Sequence, residues 1–272
     1  GTDPDCDRVG IVVRDADGIY RTLTGNQTGA LLVEYILSSK KAKGTLPENG
    51  VVIKTIVTTE LAAAIAHSYG IEIMNVLTGF KYIGEKMTEF AKTGDHTYLI
   101  GFEESYGYLV RPFVRDKDAI QSLVLLAEVA AYYRKQGKNL YDGLQELFEK
   151  YGYFAEKTTA LTFDGVEGAQ QIKNLMAKLR DEAPAEFAGV KVVCAEDFAT
   201  GKKSFADGKE EKMNLPSSNV LKYILEDGTW IAVRPSGIQT KITHYIGTQG
   251  DSVENSKANV AKFEKAIQAY VD

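Results

Sequence analysis

The stretch VVIKTIVTTELAAAIAHSYGIEIMNVL, residues Val51–Leu77, decides the fold class of this chain. It begins with an apolar, β-branched run (Val51–Val57), continues with an alanine-rich run closed by glycine (Leu61–Gly70), and ends with a second apolar run (Ile71–Leu77). Short apolar runs indicate buried strands, and the alanine-rich run between them indicates a helix. Because two strands joined through a helix lie parallel, the sequence predicts a doubly wound, parallel α/β domain.

The same alternation continues downstream of this stretch. A helix is predicted over Lys81–Lys92 and a third strand over Thr97–Gly101. Ligands of such sheets bind beyond the carboxyl ends of the strands. Two loops leave such ends, Thr78–Lys81 and Gly101–Gly107, and we expect them to border a ligand site.

Upstream, two apolar runs flank Asp17–Gly18, a dipeptide typical of tight hairpin turns. Thr24 and Gln27 have the spacing of a capping box, which predicts a helix from there to about Lys40. The polar stretch Ser38–Gly50 then predicts a linker and a first domain boundary.

The alternation of predicted strands and helices ends after Gly152, where we place a second domain boundary. Two apolar runs around Asp227–Gly228 predict a hairpin, Phe198–Ser218 predicts a long polar loop, and Asp164 and Asp251 are predicted helix caps. These features indicate an α+β domain with an antiparallel sheet. We therefore expect a partial α/β domain over residues 1–44, an α/β domain over 45–155 and an α+β domain over 156–272.

Composition narrows the classes of function. The chain has 272 residues, 44% of them hydrophobic and 25% charged, which is typical of a soluble globular protein. Its net charge of -5 and its lack of a lysine-arginine block argue against nucleic acid or membrane as a partner. The two cysteines, Cys6 and Cys194, do not form a disulfide framework, which favours a reducing, cytoplasmic setting. No signal peptide or membrane-spanning run is found in the sequence.

The segment Asp3-Pro4-Asp5-Cys6-Asp7-Arg8 is the first candidate site. Its alternate carboxylates can converge on one point, and oxygen-only ligands suit magnesium or manganese. A calcium EF-hand loop requires glycine and glutamate where this chain has Arg8 and Arg14. A metal-free acidic turn remains the alternative at this point.

Two further loops and two lysines could bind a phosphorylated sugar. Arg234-Pro235-Ser236-Gly237 combines a guanidinium fork, a hydroxyl and a glycine, which suits a phosphate group, although an ordinary surface loop is the alternative. Glu103-Glu104-Ser105 offers acceptors for sugar hydroxyls, with a solvated acidic turn as the alternative. Lys81 and Lys117 could each bind phosphate or lie on the surface. Together, these loops predict a divided phosphosugar site.

The order and separation of the three loops resemble the α-D-phosphohexomutase superfamily, in particular its phosphoglucomutase and phosphomannomutase enzymes. Asp3–Arg8 resembles the magnesium loop of that family, Gly101–Gly107 its sugar-specificity loop, and Arg234–Lys241 its phosphate-binding loop. The tract Phe102–Gly107 is most similar to the phosphoglucomutase branch. The resemblance covers essentially the whole chain.

The resemblance implies transfer of phosphate between the 1- and 6-positions of a hexose phosphate. The partners would be glucose 1-phosphate or glucose 6-phosphate and a hexose bisphosphate, with Mg²⁺ as cofactor. The implied residues are Asp3, Asp5 and Asp7 for the metal, Arg8 and Lys81 for catalysis, and Glu103, Ser105, Lys117, Arg234, Ser236 and Gly237 for substrate. Phosphomannomutase, phosphopentomutase, a non-catalytic phosphosugar-binding module and a metal-free structural fragment remain alternatives.

Three departures from the family pattern affect these expectations. Cys6 replaces a common glycine, and Ile238-Gln239-Thr240 replaces the usual threonine, acidic residue and proline. The family's phosphoserine lies in a Ser-His-containing loop of an N-terminal domain. No serine of this chain is immediately followed by a histidine. We therefore expect a C-terminal fragment that lacks the N-terminal half of the enzyme and is inactive alone.

Overall fold

The structure is a computed structural model that describes residues 1–163, 165–237 and 239–271. It divides into two compact units, Gly1–Gly152 and Tyr153–Asp272. The expected division into 1–44, 45–155 and 156–272 stays a prediction. Within the described ranges, no helix combines the length and the apolar composition needed to cross a membrane.

The first unit is an α/β structure built around a four-stranded sheet of order β4-β3-β5-β6. Its strands are β1 (Ile11–Arg14), β2 (Tyr20–Leu23), β3 (Gly50–Thr55), β4 (Glu72–Val76), β5 (Thr97–Glu103) and β6 (Gly107–Leu109). Its helices are α1 (Gly25–Ala42), α2 (Leu61–Ser68), α3 (Phe80–Thr93), α4 (Ala119–Arg134) and α5 (Leu140–Tyr151). Strands β3, β4 and β5 are parallel and β6 is antiparallel, which confirms the predicted fold class.

The predicted hairpin and capping box at the start of this unit are confirmed. Strands β1 and β2 pair antiparallel, and Gly18 in their turn has a φ of +81°, which favours glycine. The Thr24 hydroxyl accepts a hydrogen bond from the Gln27 amide, and the Gln27 side chain accepts one from the Thr24 amide. Helix α1 continues to Ala42 and packs against α2, α4, α5 and β5. The first part of the predicted linker is therefore helical.

The second unit is an α+β structure, as predicted. Its strands are β7 (Tyr153–Thr162), β8 (Glu186–Phe187), β9 (Val190–Asp197), β10 (Lys202–Phe205), β11 (Glu210–Lys212), β12 (Leu221–Leu225), β13 (Trp230–Pro235) and β14 (Lys241–Gly250). The order β11-β10-β9-β12-β13-β14-β7 is antiparallel throughout, with β8 paired to β9. Helices α6 (Gly165–Asp181) and α7 (Val253–Val271) contribute Met176 and Phe263 to its apolar core.

Two local predictions in this unit were wrong. The stretch Phe198–Ser218 is not one long loop, because it contains the β10–β11 hairpin with Gly208 at a φ of +87° in its turn. The cap of α7 is Ser252 rather than Asp251, since the Ser252 hydroxyl accepts the Asn255 amide across 3.1 Å. The predicted cap Asp164 lies outside the described residues.

Candidate functional site

The acidic loop Asp3–Arg8 lies beside the turn that joins β5 to β6. Arg8 forms an antiparallel bridge with Gly107, the first residue of β6. The next amide, from Val9, donates to the carbonyl of Tyr106 across 3.1 Å. Backbone hydrogen bonds therefore hold together two of the three loops that the sequence singles out.

Cys6 takes the backbone conformation that the loop requires. Its φ is 56°, in the left-handed region that glycine adopts without strain. Its carbonyl accepts the amide of Ala119 at the start of α4 across 3.1 Å. The loop thus tolerates cysteine at this position and is tied to α4 as well as to β6.

The three carboxylates of the loop converge. Asp3, Asp5 and Asp7 each place one oxygen within 4.8 Å of the others, a spacing that fits a shared cation. Asp7 Oδ1 is buried and has no hydrogen-bond partner among the described residues, and the Nε of Arg8 lies 3.8 Å away. The Arg8 amide, which donates to Asp3 Oδ1, lowers the pKa of Asp3 and keeps it ionised. This oxygen-only donor set fits magnesium or manganese.

Lys117 is a fixed cation at the rim of this cluster. Its ammonium group donates to Asp7 Oδ2 across 2.9 Å and to Asp116 Oδ1 across 3.0 Å, and its side chain is only 10% exposed. Burial alone would lower the pKa of Lys117, but the two carboxylates outweigh burial and raise it. The stem lies over Gly107, where a Cβ atom would be 2.2 Å from Lys117 Cδ.

Glu103 ends β5 and is buried. Its Oε1 accepts the amide of Gly79 across 2.9 Å, which brings the two predicted strand-end loops together. Burial, and then the charge of Glu104, raise the pKa of Glu103, while the hydrogen bond from the Gly79 amide and the charges of Lys117 and Arg8 partly offset that rise. Glu103 therefore lies within the electrostatic reach of the two cations beside the acidic loop.

Glu104 has a different environment, which sequence reasoning missed. Its Oε2 accepts the hydroxyls of Thr55 and Thr58, each across 3.2 Å, at the end of β3. A Cβ atom on Gly25 would lie 2.0 Å from the Glu104 carbonyl oxygen, so α1 begins tightly against the same turn. Glu104 thus anchors the turn to the sheet and to α1. Thr55, the last residue of β3, and Thr58 beyond it gave no sequence signal for this contact.

Ser105 and Lys81 are placed less specifically. Ser105 is the half-buried central residue of the β5–β6 turn, two residues after Glu103. Lys81 is exposed in the first turn of α3, and its ammonium group lies 4.9 Å from the centre of the Tyr82 ring. It borders a surface depression together with Arg115. Lys81 thus lies on the surface, and its contact with a phosphate stays a prediction.

The predicted phosphate loop joins β13 to β14 in the second unit. Arg234 pairs with Thr243 in the sheet, and the Ser236 amide donates to the Lys241 carbonyl across 2.8 Å. The Ser236 hydroxyl accepts the Gln239 amide across 3.2 Å, and Gly237 is exposed. Ile238, which departs from the family pattern, lies outside the described residues. A tight turn thus follows the half-buried Arg234.

Comparison with known proteins identifies relatives. Residues 24–151 match the model of phosphoglucomutase/phosphomannomutase, α/β/α domain III. A phosphoglucomutase of Staphylococcus epidermidis is 42% identical over 252 residues, which cover 92% of this chain and 45% of the relative. A phosphoglucomutase of Staphylococcus haemolyticus is 38% identical over 263 residues, or 96% of this chain and 47% of the relative. The chain thus spans about half the length of these curated relatives.

Solved structures share the fold at lower identity. The phosphoglucomutase pp63/parafusin of Paramecium has a TM-score of 0.64 and 17% identity, over 99% of this chain and 43% of that chain. The N-acetylphosphoglucosamine mutase of Aspergillus fumigatus, solved in complex with GlcNAc-6P and magnesium, has a TM-score of 0.53 and 12% identity, over 100% of this chain and 48% of that chain. Residues 24–151 therefore form a domain III of the phosphoglucomutase/phosphomannomutase family, in a chain that is similar over 92% of its length to a curated phosphoglucomutase.

Proposed function

We propose that this chain supplies metal-, sugar- and phosphate-binding residues to a phosphoglucomutase-type reaction. Phosphate would move between the 1- and 6-positions of a hexose phosphate through a bisphosphate. The observation that carries this proposal is the convergence of Asp3, Asp5 and Asp7 within 4.8 Å, on a loop hydrogen-bonded to the turn that follows Glu103. The identity to curated phosphoglucomutases supports the same reaction.

In this proposal Asp3, Asp5 and Asp7 hold Mg²⁺, and the buried Asp7 Oδ1, which has no hydrogen-bond partner among the described residues, supports that role. Bound Mg²⁺ would neutralise phosphate charge during transfer. Arg8, whose side chain is 48% exposed, offers a guanidinium fork to the transferred phosphate. Lys117 keeps Asp7 in place and adds a second positive charge beside the loop.

The sugar would be held by the β5–β6 turn. The Gly79 amide fixes one oxygen of Glu103, so the carboxylate has a set orientation in which to accept a sugar hydroxyl. Ser105 adds a hydroxyl two residues further on. In the second unit, Arg234, Ser236 and Gly237 would hold the phosphate that is not transferred, and Lys81 would be a further cation near the substrate.

The nucleophile would come from the other half of the enzyme. The chain spans 45% of the Staphylococcus epidermidis relative. No serine of this chain is immediately followed by a histidine. Residues 1–44 would belong to the metal-binding domain, 45–155 to the sugar-binding domain and 156–272 to the phosphate-binding domain of a cytoplasmic isomerase. A non-catalytic phosphosugar-binding module is the second candidate, favoured by the same missing Ser-His pair.

A coupled assay tests the reaction. The chain would be coexpressed with the part of the Staphylococcus epidermidis phosphoglucomutase that it does not span, and supplied with glucose 1-phosphate, catalytic glucose 1,6-bisphosphate and Mg²⁺. We expect glucose 6-phosphate from the co-purified pair and none from the chain alone. A pair that binds glucose 1-phosphate without turnover would support the binding module, and turnover by the chain alone would refute the expected inactivity.

A further inference from the structure

A cavity in the first unit lies at the amino ends of the parallel strands, away from the candidate site. It encloses about 480 Å³ between α1, the start of β5, the segment after β6 and one face of α4. Tyr98 and Leu99 border it near the amino end of β5, whereas Glu103 ends the same strand at the candidate site. Its volume falls within the range of about 300–1,000 Å³ that small-molecule pockets have.

Part of the cavity lining is apolar. Ile36 of α1 and Leu99 of β5 are buried, and Leu125 of α4 is half-buried. Val124, which precedes Leu125 on α4, also borders the cavity and is 67% exposed. Because covering apolar surface is favourable, an organic ligand with an apolar body would gain free energy by lying against these side chains.

Hydrogen bonds hold the walls of the cavity in place. The Tyr35 hydroxyl of α1 donates to Glu128 of α4 across 2.6 Å. The side-chain oxygen of Gln121 accepts the amides of Val110 and Arg111 across 3.1 Å and 2.7 Å, which ties α4 to the segment after β6. A cavity whose walls are already fixed costs less conformational entropy to fill than one that the ligand must order.

The charges that border the cavity are mostly positive. Its lining includes three cationic side chains, Lys40, Lys43 and Arg111, and none of them has an ion-pair partner among the described residues. Lys43 and Arg111 are exposed and follow α1 and β6, respectively. The carboxylate in the lining, Glu128, already accepts the hydrogen bond of the Tyr35 hydroxyl. The cavity therefore favours an anion over a cation.

We propose that this cavity binds a small amphipathic anion, namely an apolar ring system or chain that ends in a carboxylate, sulfonate or phosphate. The apolar part would lie against Ile36, Leu99 and Val124, and the anionic group would meet Lys43 and Arg111. The planar guanidinium of Arg111 can donate two hydrogen bonds to such a group. A sugar phosphate lacks the apolar part, so this ligand belongs to a different class from the one proposed for the candidate site.

Fluorescence titration of the full chain with two matched dyes tests the class of ligand. Anilinonaphthalene sulfonate combines an apolar ring system with one negative charge, whereas phenylnaphthylamine has the same rings without the charge. We expect the sulfonate to bind at least about fivefold more tightly, because only the sulfonate can pair with the cations that border the cavity. Equal affinities would overturn the anionic class, and absence of binding by both dyes would overturn the site itself.

Two pairs of variants locate the bound sulfonate dye. Val124→Asp should weaken its binding at least about tenfold, and Val12→Asp, at a valine of β1 that is 62% exposed, by less than about twofold. Lys43→Gln should weaken its binding about threefold, whereas Lys41→Gln should leave it unchanged, because Lys41 lies over the Tyr69 ring and does not border the cavity. An equal response within either pair would overturn the proposal.

Methyl NMR on the unsubstituted chain decides the question if thermal melting shows that a variant does not fold. The methyl signals of Val124 and Leu125 should shift when the sulfonate dye is added, and those of Val12 should not. Shifts confined to methyl groups outside the cavity would overturn the proposal. Glucose 1-phosphate with Mg²⁺ should leave the affinity for the dye unchanged, and displacement of the dye would place it at the candidate site and overturn the proposal as well.

Discussion

The ammonium group of Lys117 donates to Asp7 Oδ2 across 2.9 Å, and this ion pair links the acidic loop to the segment that precedes α4. The lysine stem reaches the carboxylate by crossing Gly107, the residue that also bridges to Arg8. One cation therefore balances part of the charge of three clustered carboxylates. This relationship makes the acidic loop, the β5–β6 turn and Lys117 one coupled structure, and the first two predictions test that coupling.

Removing the lysine charge should destabilise the chain in a way that Mg²⁺ partly repairs. Lys117→Met removes the 2.9 Å ion pair of Asp7 and leaves the longer contact with Arg8 at 3.8 Å, which should cost about 2 kcal/mol of unfolding free energy without Mg²⁺. Added Mg²⁺ should stabilise Lys117→Met more than the parent chain, because the ion replaces the lost positive charge. Urea unfolding with and without Mg²⁺ measures both effects. Lys81→Met, at an exposed lysine, is the control, and an equal loss in both variants would contradict the coupling.

Adding a methyl group at Gly107 should act through Lys117. Gly107→Ala places a Cβ atom 2.2 Å from Lys117 Cδ and should cost about 1–3 kcal/mol by displacing the stem. In a Lys117→Ala background the space is vacated, so the cost should fall by at least half. A double-mutant cycle from urea unfolding gives the coupling energy. Strictly additive costs would show that Gly107 is needed for another reason.

Neutralising Asp5 should remove the response to Mg²⁺ and leave the fold unchanged. Mg²⁺ at about 100 times its dissociation constant should stabilise the parent chain by about 2.7 kcal/mol, and this rise should disappear in Asp5→Asn or on addition of a chelator. Thermal melting measures the rise. Asp17→Asn, in the β1–β2 turn, is the control and should keep the full response. An equal Mg²⁺ response in both variants would show that the ion binds elsewhere.

Stability of the second unit should fall as the pH decreases below 6.5. His244 on β14 is 2% exposed, and burial lowers its pKa from the ordinary value of 6.5, although Glu264 partly opposes that shift. Below pH 6.5 the unfolded chain binds a proton that the folded chain excludes, so stability is complete above that pH and declines by up to about 1.4 kcal/mol per pH unit below it.

The substitution His244→Gln should flatten this decline between pH 7 and pH 5. The contribution of Glu264, whose pKa is lowered mainly by the Lys157 ion pair, is lost only below its ordinary value of 4.5, outside that window. Urea unfolding at several pH values measures the slope. His67→Gln, at an exposed histidine of α2, is the control, and an unchanged slope in His244→Gln would rule out His244 as its cause.

The sequence predicted those elements whose signals are local. The buried run of β3, the Thr24–Gln27 capping box and the turn at Gly18 each depend on residues close together in the chain. The β10–β11 hairpin was missed because its strands are rich in charged residues and β11 is the edge strand of the sheet. Lys202 forms a side-chain ion pair with Glu210 there, and no apolar alternation is required. Its turn nevertheless contains Asp207–Gly208, the same dipeptide that identified two other hairpins.

The candidate site was predictable as a set of residue types and only partly as a geometry. Alternate spacing indicated that Asp3, Asp5 and Asp7 could converge, and they do. Nothing local distinguishes Glu103, held by the Gly79 amide, from Glu104, held by two threonine hydroxyls. These contacts join residues far apart in sequence, so they depend on the folded sheet rather than on any motif.

Calorimetric titration of glucose 1-phosphate into the chain, with and without Mg²⁺, tests most directly that the acidic loop and the β5–β6 turn form a phosphosugar site. We expect binding that strengthens at least about tenfold with Mg²⁺, a difference of about 1.4 kcal/mol, and that is weakened by Glu103→Gln. Absence of binding in both conditions would contradict this account. An affinity that neither Mg²⁺ nor the Glu103→Gln substitution changes would contradict it as well.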